Sequence, residues 1–341
     1  MPGPAQLLST ASASWLDELG ADGFGCRRVA FDLWSLRHLG WTLEELPPGY
    51  AICPLHRHQY EEEHLYVLDG TLTIREWHGG VHRTFSLHAG ELVTWLPGTG
   101  PAHQTSNTGD RPARYVVASG RHAQEIAHYP ESGKVLLRGA GVGVMTARGQ
   151  SELPLDAHYA AALAQMPHPA LRLSDVDRPG HVVRRDQPAE KSLGRHGGFG
   201  RALSRFAGAT SVFVNLDRLP PGARTADIHA HLADEEIVLV VAGRPTLRQW
   251  QGERKNRAAV FGGEPERTVL QPGDALHWAP GDLRAHHLVN ESADDALLLV
   301  VGTDFAHDIV LYPERDEVFV PALDVIGRFR ATDYMAGEGR R

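Results

Sequence analysis

Cysteine is almost missing from this chain. Cys26 and Cys53 are the only two in 341 residues, and no Cys-x-x-Cys occurs. That leaves no disulfide framework and no thiolate zinc site, and the two thiols read as small buried or half-buried groups in a reducing compartment. Long apolar runs are missing too. Ile237 to Ala242 and Leu297 to Val301 are the longest, far below the ~18 residues a membrane span needs. Met1 to Gly20 has neither a basic start nor a continuous apolar stretch, so it does not read as a secretory signal, and a cytoplasmic location is expected. There is no basic stripe either: 34 Lys and Arg are interspersed with 42 Asp and Glu, for a net charge of -8. Nucleic acid is thereby set aside as a partner. Helical periodicity is scarce, its best stretches being Ser12 to Leu19 and Ala157 to Gln165. No P-loop, Gly-x-Ser-x-Gly or dinucleotide fingerprint stands in a strand-turn-helix context.

What is present is a long series of short β-branched and aromatic runs, such as Leu65 to Leu68, Tyr115 to Ala118, Ser211 to Leu216 and Ala296 to Val301. They end at Gly, Pro, Asn or Asp, which predicts an all-β sandwich, barrel or jelly roll. The chain also repeats itself. Gly49, His56, His58, Glu63 and Gly70 return as Gly222, His229, His231, Glu236 and Gly243, each displaced by 173. Gly90, Pro97, His103 and Asn107 return as Gly273, Pro280, His286 and Asn290, displaced by 183. Ten extra residues must lie between the two motifs of the second copy, and Gly252 to Arg267 is the place for them. A period this long is a duplicated domain, not a solenoid unit.

The repeated residues are metal-ligand types. In His56-Arg-His58 and His229-Ala-His231 the imidazoles are two apart in extended segments, so both leave one face of a strand. A carboxylate follows, and a third histidine comes later, His103 or His286. His286 is favoured over His287 by the 183 offset and by its distance from Pro280. For the carboxylate, Glu62 with Glu235 and Glu63 with Glu236 keep the same internal relations, and spacing alone leaves both pairs open. Three imidazoles and one carboxylate suit Fe(II), Mn(II), Ni(II), Cu(II) or Zn(II) with positions to spare for substrate. Arg75 with Trp77, and Arg248 with Trp250, share a face of the next strand, where they would meet an anionic or aromatic substrate or pack outside the barrel. Trp95 and Trp278 read as core aromatics. No residue stands out as a dedicated acid or base, and Glu62 and Glu235 read as outward, solvated carboxylates.

These motifs resemble those of the cupin superfamily, with one extra residue before each His-x-His and with Leu283 where the second motif has a glycine. The resemblance implies two double-stranded β-helix (jelly-roll) barrels in tandem, expected over 12–146 and 179–329 with a linker over 147–178. It selects Glu63 and Glu236, so that His56, His58, Glu63 and His103, and then His229, His231, Glu236 and His286, would hold up to two divalent transition metals. Fe(II) is favoured among Fe, Mn, Ni, Cu and Zn. The expected activity is that of a metal-dependent oxidoreductase of the dioxygenase kind acting on a small organic metabolite, with dioxygen as co-substrate. The rivals are a non-redox isomerase or lyase and a non-catalytic small-molecule binder. Neither nucleic acid nor membrane is an expected partner, and a homodimer is left open.

Overall fold

A computed structural model describes residues 7–29, 36–139, 142–147, 170–255 and 258–328. Two barrels are built on one plan. In the first, a seven-stranded sheet runs in the order Val182–Val183, Leu92–Trp95, Glu63–Asp69, Ala113–Gly120, Leu39–Leu46, Arg27–Val29, Trp15–Asp17. It faces a smaller sheet of Ala102–Ser106, Thr71–His78, Val81–His88 and Leu171–Arg172. The second barrel repeats this with Asp274–Trp278, Glu236–Ala242, Ala296–Thr303 and Val212–Leu219 in its large sheet. Among the described residues no helix is long and apolar enough to cross a membrane.

The apolar runs are continuous because the large sheets are covered on both faces. Along Glu63–Asp69, Leu65 and Val67 enter the first barrel's own core, while Tyr66 joins a core shared by both barrels. Ile237 and Leu239 enter that shared core from the second barrel, and Val238 and Val240 turn into its own. Period-two alternation thus divides each strand between barrel interior and barrel-barrel interface. The exchange of strands goes further. Leu8–Ser9 pairs with Asp274–Trp278 of the second barrel, and Val182–Val183, within the range expected for the second copy, pairs with Leu92–Trp95 of the first.

The interface overturns one expectation. Glu62 and Glu235 do point away from their own barrels, yet they are 2% and 0% exposed. Glu62 accepts hydrogen bonds from the backbone N–H groups of Thr210, Ser211 and Val212 and from the Thr210 hydroxyl. Glu235 accepts from the N–H groups of Arg37, His38 and Leu39, and lies 2.8 Å from His277 Nε2. Each carboxylate therefore anchors the start of a strand in the opposite barrel.

The motif residues that bind no metal explain themselves. Gly70 and Gly243 have φ of +85° and +79°. A Cβ would sit 2.9 Å from Ala113 Cα at the first and 2.6 Å from Ala296 Cα at the second, so only glycine closes these turns. Buried Asn107 donates to the Leu46 and Arg111 carbonyls, and Asn290 to those of Leu219 and Asp294. The extra residues of the second copy form an extended arm in which Thr246–Lys255 pairs with Ala258–Phe261 as well as with Glu266–Val269. Where Ser12 to Leu19 suggested a helix, Trp15–Asp17 is a strand paired with Arg27–Val29. Trp15 packs against the shared core, and that contact outweighs local helix propensity in so short a segment. Ala157 to Gln165 lies outside the described residues.

Candidate metal centres

In the first barrel His56, His58, Glu63 and His103 converge, their ligand-type atoms within 4.8 Å of one another. His56 and His103 face each other across a bridge between loop and strand, and Glu63 opens the strand that crosses the interior. His56 Nδ1 lies 3.0 Å from the Pro54 carbonyl oxygen. A carbonyl only accepts, so Nδ1 holds the proton and Nε2 is a bare donor atom turned to the cluster. Burial, with His103 and His58 adding to it, brings the His56 pKa down to about 3, so the ring is a neutral imidazole. Burial works to raise the Glu63 pKa, but the His103 and His58 imidazoles hold it well below the ordinary range. Glu63 lies 3.0 Å from His58 Nε2 and 3.4 Å from His103 Nε2. His58 and His103 nevertheless leave both ring nitrogens buried without a well-aligned hydrogen bond. The Nε2 atoms of both rings lie beside the Glu63 oxygens, and a divalent cation among three imidazoles and a carboxylate would complete their coordination.

Sequence reasoning missed the groups behind the ligands. Glu125 lies 3.3 Å from His58 Nδ1, and its oxygens accept the N–H groups of Gln59, Tyr60 and Glu61. Asp308, 183 positions on, lies 2.6 Å from His231 Nδ1 and accepts from Leu232, Ala233 and Asp234. Such carboxylates fix the ring and tautomer of a ligand histidine. Burial lowers the His58 pKa, but Glu125 and Glu63 outweigh it and lift it to about 10. A metal entering here displaces a proton. Trp95 and Trp278 are buried as expected, and each also stacks on the third histidine, at 3.8 Å from His103 and 3.6 Å from His286.

The second barrel is a near copy. His229 Nδ1 lies 2.9 Å from the Asp227 carbonyl and His286 Nδ1 3.0 Å from that of Arg284, so His229 again turns a bare Nε2 inward, while His286 Nε2 lies 3.1 Å from Glu236 Oε2. Burial works to raise the Glu236 pKa, yet His286, His231 and His229 bring it down to about 2. Here three side chains, His229, Glu236 and His286, come within 4.8 Å. His231 stands off, its Nε2 3.9 Å from Glu236, and groups instead with Asp234 and Asp308. His287 faces away from this cluster, with Nδ1 3.0 Å from the Ala226 carbonyl.

The two mouths differ in their side chains. A cavity of about 830 Å³ reaches His58 and Glu63 and is lined by Gly40, Ser119, Arg37, Arg121 and Arg138. The counterparts of Gly40 and Ser119 are Phe213 and Gly302. The ring of Phe213 lies across Gly302, so close that a Cβ there would be 2.4 Å from its Cζ. Gly302 is the cross-strand neighbour of Glu236, as Ser119 is of Glu63. The ring of Phe213 thus stands beside Glu236 where the smaller Ser119 side chain leans over Gly40 beside Glu63, and the His231 and Glu236 side chains are 23% and 16% exposed, against 14% and 17% for His58 and Glu63.

Arg75 does not line the cavity. It is bidentate to Glu131, at 2.6 and 2.9 Å, and donates to Gln104, so its role is to pin the segment after Ile126–Tyr129. Trp250 donates to the Gly262 carbonyl in the extra arm. Cys26 and Cys53 are unpaired thiols.

A sequence model of the cupin domain matches residues 42–119. No curated protein sequence matches the chain. Among solved structures, the oxalate decarboxylase of Lactobacillus farciminis in complex with formate is similar with a TM-score of 0.53 and 14% identity, over 89% of this chain and 87% of that one. The oxalate decarboxylase of Bacillus subtilis, described for its Mn(II) centres, is similar with a TM-score of 0.51 and 15% identity, over 89% and 78%. At these identities the likeness is one of fold. The sequence match to the cupin domain covers residues 42–119, and the fold of the chain is that of two cupin barrels in tandem.

Proposed function

We propose that this is a metal-dependent enzyme whose reaction takes place in the first barrel, on a small organic metabolite. One observation carries the reading: four ligand side chains converge in the first barrel and a cavity of about 830 Å³ reaches two of them, His58 and Glu63, whereas in the second barrel His231 stands off from the other three. His56, His58, Glu63 and His103 would hold the metal of the working site, and His229, Glu236 and His286, with His231, a second ion. A bound Fe(II) would supply a Lewis acid and a place for dioxygen next to substrate, which is the basis for reading the protein as an oxidoreductase. The chain's own groups do the rest. Glu125 and the Pro54 carbonyl hold His58 and His56 in one orientation, Trp95 stacks on the His103 ring and holds its plane, and the apolar residues Leu65 and Val67 belong to the barrel's core beside Glu63.

A second reading is a non-redox lyase using Mn(II). It is favoured by the shared fold with the oxalate decarboxylases, one of them known for its Mn(II) centres. Elemental analysis of protein purified without chelator, followed by oxygen-electrode assays on small carboxylic and aromatic metabolites, separates the two. Stoichiometric oxygen uptake supports the oxidoreductase, and equal turnover under strict anaerobiosis refutes it. Metal far below one equivalent, unrestored by Fe, Mn, Ni, Cu or Zn, refutes both readings.

A further inference from the structure

The mouth of the first barrel is cationic in a chain of net charge -8. Arg37, Arg121 and Arg138 line its cavity. Of the two carboxylates there, Glu63 faces the ligand histidines, and Glu61 is 5% exposed and already held by Arg138 at 2.9 Å and by the His122 N–H at 2.7 Å. Arg121 gives one nitrogen to the Leu36 carbonyl, which fixes its side chain at the rim, and no carboxylate among the described residues pairs with it. The barrel does not need these charges to fold. The second barrel keeps the same geometry, with Phe305 N–H bound to Asp234 as His122 N–H is to Glu61, yet has Thr210, Asp304 and Pro321 where the first has Arg37, Arg121 and Arg138. The rim is also built to hold its shape, because Glu235, wholly buried, gathers the N–H groups of Arg37, His38 and Leu39.

From this we infer that the first barrel's mouth is an anion subsite, and that the substrate is a small carboxylate or phosphate ester steered inward by Arg37 and Arg121. The inference rests on the first barrel being the reacting site. A cavity of about 830 Å³ is in the range that encloses a metabolite-sized ligand, and the anionic end would lie at the arginines with the reacting end toward His58 and Glu63.

The test is calorimetric titration of the full chain, metal-free and Mn(II)-loaded, with acetate, oxalate, inorganic phosphate and neutral acetamide at low salt. The variant R37T/R121D carries the second barrel's own residues at the same backbone positions, and R121Q is a milder control for folding. Acetate or oxalate should bind more tightly than acetamide, and R37T/R121D should weaken that binding by about tenfold or more without changing metal content. Tighter binding of phosphate than of either carboxylate would assign a phosphorylated substrate, and the reverse a carboxylate, both within the inference. Anion binding that needs Mn(II) and ignores both arginine variants, or acetamide binding as well as acetate, would overturn it. Failure to take up metal while the arginine-dependent binding persists would instead count against the enzyme reading alone.

Discussion

Removing the carboxylate of Glu235 or Glu62 should damage the barrel that does not contain it. Glu235→Ala leaves the N–H groups of Arg37, His38 and Leu39 and the ring of His277 without their acceptor. Leu39 and His277 are 0% and 2% exposed and cannot turn to water, whereas Arg37 and His38 lie nearer the surface. Two to three buried donors at about 1–3 kcal/mol each, incompletely additive, give a loss of about 2–4 kcal/mol, or a fall in Tm of about 4–10 °C. Glu62→Ala should cost a similar amount through Val212, Ser211 and Thr210. Thermal unfolding followed by circular dichroism at pH 7 measures both, and the Gln variants, which keep one acceptor oxygen, should lose less. Hydrogen exchange then adds a crossed result: Glu235→Ala should speed exchange at 37–39 and spare 210–212, and Glu62→Ala should do the opposite. Alanine variants that melt within about 1 °C of the parent, or exchange that quickens only in the mutated barrel, would refute the reasoning.

Three further outcomes are expected. Phe213→Gly should widen the space beside Glu236 at a cost of about 1–3 kcal/mol for a half-buried ring, and water-proton relaxation of the Mn(II)-loaded protein should rise; unchanged relaxation would show that the ring does not limit access there. Arg75→Ala breaks a buried bidentate pair with Glu131 and should cost about 3 kcal/mol in urea unfolding, while Arg248→Ala, whose Nε has no hydrogen-bond partner, should cost under about 1 kcal/mol. The acid limb of stability should depend on Glu62 and Glu235. Burial raises both pKa values, but the opposed N–H donors, with His277 for Glu235, hold them below the ordinary range. Their contribution is therefore whole above the ~4.3 of an unfolded glutamate and is lost as pH falls through the lower folded value. Denaturant titrations from pH 7 to pH 3 should accordingly converge for the parent and a Glu62→Gln/Glu235→Gln variant at the acid end, and a gap that stays constant would exclude this linkage.

Much of the architecture was legible because the chain states it twice. The 173 and 183 offsets picked out the histidines, of which His56, His58 and His103 converge in the first barrel and His229 and His286 in the second, the cupin resemblance chose Glu63 and Glu236 over their neighbours, and the strand-forming runs foretold the β-fold. What stayed hidden was whatever depends on the face opposite the one being read. Period-two alternation correctly turned Glu62 away from Glu63, but one strand's pattern does not say that a second sheet lies on the outer face, so burial was read as solvation. Glu125 and Asp308 carried a faint signal, an acid four residues before Tyr129 and Tyr312 and 183 apart. It was weakened by the change from Glu to Asp. The Gly40-to-Phe213 difference was visible in the repeat as well, yet only its register beside Ser119 and Gly302 places the ring next to Glu236. The helix expected at Ser12 to Leu19 failed for the usual reason in short segments, a tertiary contact stronger than local preference.

The same positions show how duplicated barrels diverge at their mouths without losing each other. The clamps made by Glu62 and Glu235 engage mainly backbone N–H groups, at 210–212 and 37–39. Backbone donors are supplied by any residue except proline, so the clamp places almost no demand on the side chains that carry it. Arg37 and His38 in one barrel and Thr210 and Ser211 in the other occupy equivalent places, hold equivalent carboxylates, and present unlike chemistry to their mouths. Interface geometry is thereby separated from mouth chemistry within the same three residues. The first mouth is left free to take up cationic charge, and the second to carry Thr210 and Asp304 in its place, while the shared core and the paired anchors stay as they are.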